Sequence, residues 1–219
     1  MIAKEIISKN VFPIRITDSA EEALSLMTLY RLKELAVVEN DKLIGILTEE
    51  EAYALNDEES INGIVNQGIV EHVVEETHLF ELISKLADHN LTMLPVLSKE
   101  GKFLGVITQE DVFKYYANSF SFTEAGSIIV LDVVRKEYSM AEISQIVESE
   151  NAAILSSFLS DAREITRIMV TLKINKQDIQ AIVAGFERYG YEVKASFTEQ
   201  EYIDNLKERY DLLMHYLNV

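Results

Sequence analysis

Apolar and polar positions along the first 120 residues follow one order twice. In the first pass Ala20, Ala23, Leu24 and Met27 fall at helical spacing. Ser19, with Glu22 three residues on, forms a capping box that predicts where this helix begins. Two short apolar runs follow, Leu35-Ala36-Val37-Val38 and Leu43-Ile44-Gly45-Ile46-Leu47, which predict buried strands. In the second pass the helix face is Leu79, Leu82, Ile83 and Leu86, and the strands are Leu94-Pro95-Val96-Leu97 and Phe103-Leu104-Gly105-Val106-Ile107. A short extended piece leads each pass (Phe12 to Ile16; His72 to Val74), and a second helix starts at Thr48 or Thr108. Each unit therefore predicts β-α-β-β-α.

The words themselves repeat. GILTEEEAYAL begins at Gly45 and GVITQEDVFKY at Gly105, 60 residues later. Ala36-Val37 matches Pro95-Val96 at an offset of 59, and the slip of one residue falls in a turn, ENDK against SKEGK, where insertions are easily absorbed. One such unit leaves a sheet face bare, so the two are expected to pack together.

After a junction from Phe120 to Gly126 the pattern changes. Ser127 to Val134 reads as a strand, and Ser139-Met140-Ala141-Glu142 as a capping box before a helix through Ile143, Ile146 and Val147. Strands are expected over Ala153 to Leu159 and Ile165 to Ile174. A helix from Lys176 to Tyr189 buries Ile179, Ile182, Val183 and Phe186, Gly190 stops it, and Tyr191 to Phe197 alternates as a last strand. The sum is βαββαβ, a ferredoxin-like layout. From Glu199 onward, Tyr202, Leu206, Tyr210, Leu213 and Leu217 recur at close to the period of a helix-packing seam, which predicts an amphipathic helix that pairs with its own chain or a partner's.

Composition narrows the function. A net charge of −17 without a basic stripe argues against nucleic acid and anionic membranes as partners. No apolar run approaches the roughly 20 residues of a membrane span, and the start lacks a signal peptide's apolar core. The absence of cysteine removes disulfides and thiolate metal sites and agrees with a cytoplasmic life. His72, His78, His89 and His215 do not stand at metal-ligand spacing, and no nucleophile elbow, P-loop or dinucleotide fingerprint is present. No catalytic residue, metal or resident cofactor is expected.

Each unit resembles a CBS domain, and the pair resembles a Bateman module. The resemblance rests on Pro95-Val96, Lys102-Phe103-Leu104-Gly105-Val106-Ile107-Thr108 and Asp111, with its echo in the first unit, and covers about residues 1 to 120. It implies an adenosyl ligand, such as AMP, ADP, ATP or S-adenosylmethionine, in the cleft between units. It also implies the site residues. Asp111 would accept both hydroxyls of a ribose, and Thr108 would bond a phosphate oxygen at a helix start rich in free N–H groups. His72 and Arg15 are secondary candidates for the phosphate, and Met93 and Pro95 for the adenine face. Thr48 and Glu51 are the first unit's counterparts, where Glu serves a capping box better than a diol. Thr-x-x-Asp is equally a bare helix-start signature, and that alternative stands beside the ligand reading for both copies.

The second half resembles an ACT domain over 126–197, most closely at Phe186-Glu187-Arg188-Tyr189-Gly190-Tyr191-Glu192-Val193. Many ACT domains bind an amino acid at the first strand-to-helix loop through a glycine. Here Val134 to Ser139 has none, and Tyr138 takes up the space a glycine leaves. The expected layout is α+β: CBS units at 1–59 and 60–122, an ACT-like domain at 126–197 and a helix at 198–219. The arrangement resembles acetoin-utilisation regulatory proteins and implies a non-catalytic, ligand-sensing homodimer. The alternative is a ligand-free assembly scaffold.

Overall fold

The computed structural model describes residues 1–56, 58, 60–65 and 70–198. The helix expected beyond Thr198 lies outside the described residues. The chain divides into two compact units, Met1–Tyr116 and Ala117–Val219.

In the first half of unit one, α1 (Ala20–Tyr30) begins at the Ser19 capping box and buries Ala20, Ala23 and Met27. Strands β1 (Glu34–Glu39) and β2 (Lys42–Thr48) form an antiparallel hairpin, followed by the short helix α2 (Glu49–Tyr53). The hairpin turns through Asn40 and Asp41, both at positive φ, as a two-residue turn that follows the strand twist requires. In the second copy, β3 (Val73–Val74) pairs in parallel with β4 (Met93–Leu97), which pairs with β5 (Phe103–Thr108). Helix α3 (Leu79–Asp88) precedes β4 and α4 (Gln109–Ser119) follows β5. The pairing slips at Val37/Val38 and again at Val96/Leu97, so the repeat extends to its bulge. Of the expected α3 face, Leu79, Leu82 and Leu86 are buried, but Ile83 is 36% exposed: it borders an apolar groove between α3 and α4.

Each copy also takes in a short segment from the other's stretch of sequence. Residues 1–8 complete the second copy. Ala3 and Lys4 N–H groups donate to the carbonyls of Thr77 and Glu75, at 2.9 and 3.0 Å. Ser8 N–H donates to Val106 O at 2.8 Å, and Ala3 and Ile6 are buried. Residues 60–65 complete the first copy in the same way. Ile61 N–H donates to Asp18 O at 3.2 Å, Ser60 Oγ donates to Ile16 O at 2.9 Å, and Ile61 and Val65 are buried. Ile61 thus occupies the place on one copy that Ala3 occupies on the other. Backbone groups at each edge take whichever segment reaches them, and chain order does not decide which.

Unit two is a four-stranded antiparallel sheet in the order β7-β8-β6-β9. Its elements run β6 (Ser127–Val134), α5 (Met140–Ser149), β7 (Ile154–Asp161), β8 (Arg167–Ile174), α6 (Gln180–Arg188) and β9 (Glu192–Thr198). This is the split β-α-β arrangement expected from the sequence. Residues on alternate positions of β6 and β8, including Ile129, Leu131, Val170 and Leu172, close on Ile143, Ile182 and Phe186 of the helices. Ile165 is 92% exposed, so β8 starts two residues later than its hydropathy suggests. Helix α6 starts at Gln180 instead of Lys176, because Ile179 is not helical and Asp178 Oδ1 accepts the Gln180 N–H. Gly190, at φ +85°, ends α6 in the left-handed conformation.

Candidate ligand-binding site

The opening turn of α4 is held from two directions. Thr108 ends β5 and pairs with Met93 at the start of β4. Gln109 N–H then donates to Thr92 O at 3.0 Å, and its side-chain amide donates to Leu91 O at 2.7 Å. Within the turn, Thr108 Oγ1 donates to Asp111 Oδ2 at 2.6 Å and accepts the Asp111 N–H at 3.1 Å. Thr108 N–H donates to the same carboxylate oxygen at 3.1 Å. Thr108 is 6% exposed and Asp111 is half-buried. A threonine hydroxyl has one proton and two lone pairs. Its proton is committed to Asp111, so Thr108 can donate to a phosphate oxygen only after releasing Asp111.

The first copy closes the same ring. Thr48 Oγ1 donates to Glu51 Oε2 at 2.9 Å, Thr48 N–H donates to that oxygen at 2.8 Å, and Glu51 N–H returns to Thr48 Oγ1 at 3.2 Å. Here Thr48 is exposed and the helix is five residues long, against eleven for α4. The added methylene of Glu51 is taken up in the ring and does not prevent it.

Of the remaining candidates, Met93 stands beside the turn as the strand partner of Thr108. Met93 is fully buried in the core shared with the first copy, and Pro95 is buried in β4, so neither is an open wall for a base. Both were expected there from the resemblance and from the apolar walls usual in ligand pockets; Met93 is instead packed among first-copy core residues. His72 is exposed with Nδ1 at 2.8 Å from Val70 O. It leads into the opposite edge strand from Thr108, roughly 10 Å away across two strand spacings. Arg15 has an exposed side chain, and its backbone N–H donates to Asp18 Oδ2 at 2.8 Å.

Glu34 was missed by sequence reasoning. It stands at the start of β1, between Lys33 and the apolar run Leu35-Ala36-Val37-Val38, and is 5% exposed. Its Oε1 accepts the N–H groups of Thr92 and of Met93, the latter at 3.0 Å. A lone acid at the head of a buried strand was the available signal.

In unit two the β6–α5 loop is a single tight turn, Arg135–Glu137, and Tyr138 packs against the core as its bulk implied. Beside it lies a cavity of about 340 Å³, lined among others by Asp132, Glu137, Glu142, Glu192 and Arg167. The Arg167 guanidinium is paired with Asp132 and Glu192, and the hydrogen bond to Asp132 holds its proton more tightly than usual. Ser139 Oγ accepts the Glu142 N–H at 3.3 Å, but the other half of the expected capping box is absent: the Glu142 carboxylate accepts from Tyr191 OH at 2.5 Å. Burial, then that carboxylate, push the Tyr191 phenol well above its ordinary value. A cavity so rich in carboxylates with its one arginine already paired disfavours the carboxylate of an amino acid.

The sequence profile of the CBS domain matches residues 3–54 and again 63–118. This chain carries a tandem pair of CBS domains. The inosine-5'-monophosphate dehydrogenase of Methanocaldococcus jannaschii is 30% identical over 116 residues, which are 51% of this chain and 23% of that protein. The homoserine O-acetyltransferase of Methanococcus vannielii is 27% identical over 117 residues, 51% of this chain and 24% of that protein. The chain thus spans about a quarter of the length of these curated relatives. Among solved structures, a CBS domain pair/ACT domain protein from Thermotoga maritima aligns with a TM-score of 0.48 at 19% identity, over 54% of this chain and 98% of that one. CBSX2 in complex with AMP aligns with a TM-score of 0.47 at 17% identity, over 53% of this chain and 96% of that one. Among the described residues no group of three or more His, Asp or Glu is placed to hold a metal ion, and no helix is long and apolar enough to cross a membrane.

Proposed function

We propose that the CBS pair is a non-catalytic sensor of an adenine nucleotide or related adenosyl compound, taken at the opening turn of α4. The observation that carries this reading is the Thr108–Asp111 pair. It stands at the start of an eleven-residue helix inside the second CBS match, with Asp111 half-exposed. A helix of that length presents the partial positive charge of its N-terminus to an anion, with the Gln109 and Asp111 N–H groups already engaged. An ionised Asp111 accepts both hydroxyls of a ribose, and the energy of those charge-assisted bonds opens the ring to Thr108. The ligand then acts by favouring one arrangement of the pair over another. Unit two, in its ACT-like role, and the segment after Thr198 hold a homodimer and pass the change on. In this reading the protein works in the cytoplasm, in the manner of an acetoin-utilisation regulator.

Thermal unfolding of the full chain with AMP, ADP, ATP and S-adenosylmethionine tests the proposal. A ligand at a hundred times its Kd adds about 2.7 kcal/mol to a folded state that alone binds it. A clear rise in Tm with one of the four supports the sensor; no shift with any of them removes it. The closed rings at both helix starts favour the second reading, an assembly scaffold with empty clefts. That reading expects Asp111→Ala to lower stability and leave every response to nucleotide absent, as in the parent.

A further inference from the structure

The two helix starts are joined by an unbroken run of hydrogen bonds through the seam between the CBS copies. Glu49 N–H, at the start of α2, donates to Lys33 O at 2.8 Å. Lys33 N–H crosses the seam to Thr92 Oγ1 at 3.0 Å. The Thr92 and Met93 N–H groups cross back to Glu34 Oε1. Thr92 O then accepts the N–H of Gln109, at the start of α4. By the repeat's offset Lys33 corresponds to Thr92 and Glu34 to Met93. The seam is therefore not symmetric: one copy supplies a buried carboxylate where the other supplies a thioether.

We propose that Glu34 is a positioning residue for the Thr108–Asp111 site, contributed by the opposite CBS copy. The inference rests on the sensor reading above. A buried N–H without an acceptor is costly, and Glu34 satisfies two in adjacent residues. Those residues, Thr92 and Met93, are the ones that hold Gln109 by its N–H and Thr108 by strand pairing. Removing the carboxylate frees the head of β4 to shift, and the opening turn of α4 shifts with it. A ligand that tightens that turn pulls in return on Glu34 and so on β1 of the first copy.

The test uses the full chain with Glu34→Gln, which keeps an acceptor oxygen, and Glu34→Ala, which removes it. The readouts are the Kd for AMP by calorimetry and amide exchange at residues 92–93 and 108–111. Glu34→Ala is expected to weaken AMP about tenfold and to speed exchange at both stretches, while Glu34→Gln stays near the parent in both. A role confined to local stability would speed exchange at 92–93 alone and leave 108–111 and the Kd unchanged, which overturns the proposal. So does a Glu34→Gln variant as impaired as Glu34→Ala. Should Glu34→Ala fail to fold, Glu34→Asp decides: it draws the acceptor back by one methylene from the Thr92 and Met93 N–H groups, and faster exchange at 108–111 as well as 92–93 supports the positioning role, while faster exchange at 92–93 alone overturns it. If the parent binds no AMP, the sensor reading for AMP fails, and exchange at 108–111 judges the positioning role by itself.

Discussion

Thr48 with Glu51 and Thr108 with Asp111 close the same hydrogen-bonded ring, at the same step of the same repeat. The first ring stands at an exposed threonine on a helix of five residues, the second at a buried threonine on a helix of eleven. The ring itself therefore does not tell a binding copy from a structural one. What differs is around it: the length of helix behind the N–H groups, and a carboxylate shorter by one methylene, which must stay near its own backbone. The lead segments show a further difference. Ile7 lies against Gly105, whose φ is +149°, and a Cβ there would come within 2.5 Å of Ile7 Cγ2. The second copy is thus closed by a segment from the start of the chain.

The comparison breaks or sharpens in order of expected size. Asp111→Ala should weaken AMP by about ten- to a hundredfold, the loss of charge-assisted bonds worth about 1.5–3 kcal/mol. Glu51→Ala should leave the Kd within about twofold. Equal losses in calorimetry would make the copies equivalent and end the distinction. Gly105→Ala should cost about 1–3 kcal/mol in urea unfolding, because the substituted residue is both strained and in collision with Ile7. Gly190→Ala, at φ +85° with nothing within 4 Å of a Cβ, should cost about 1 kcal/mol. If the two costs match, the lead segment yields to a methyl and does not clamp the second copy.

Thr108→Ala should cost about 1–2 kcal/mol and Thr48→Ala about 0.5 kcal/mol, since the first caps a longer helix and is buried. The smallest effect concerns Glu71, which its hydrogen bond to Lys85 holds below its ordinary 4.5. A depressed carboxylate adds stability above its unfolded value, and that part is lost as pH falls through the folded one. The pair is a third exposed, so the term is a few tenths of a kcal/mol. Lys85→Ala should lower the urea midpoint slightly at pH 7 and not at all at pH 2–3.

Much of the fold was legible. The helix from Ser19 and the strand from Ser127 to Val134 begin where their caps and alternation place them, because capping and burial periodicity are local properties. The turn slip follows from the repeat, whereas the matching bulges at Val37/Val38 and Val96/Leu97 emerged only in the structure. Ile83 was misplaced because a helix face is wider than its buried stripe, and Ile165 because an apolar residue at a strand's edge need not join it. Of the candidate site, the identity of Thr108 and Asp111 was readable and their mutual bond was implicit in the capping signature. The burial of Met93 and Pro95, the distance of His72 and the role of Glu34 were not.

The amino-acid order by itself determined the two copies, the α-β-β-α order within each, the capped helix starts and the βαββαβ layout of the second half, since each depends on residues a few positions apart; of the expected leading strands, Val73–Val74 forms in the second copy, while the first has a single parallel bridge between Ile14 and Val37. Only the tertiary structure decided which lead segment completes which copy, that Glu34 is buried against the other copy's amides, and that Glu142 serves Tyr191 in place of its own helix start. These are contacts between residues 43 to 98 positions apart. Local pattern does not reach that far, because buried hydrogen-bonding groups are satisfied by whatever the packed chain places beside them.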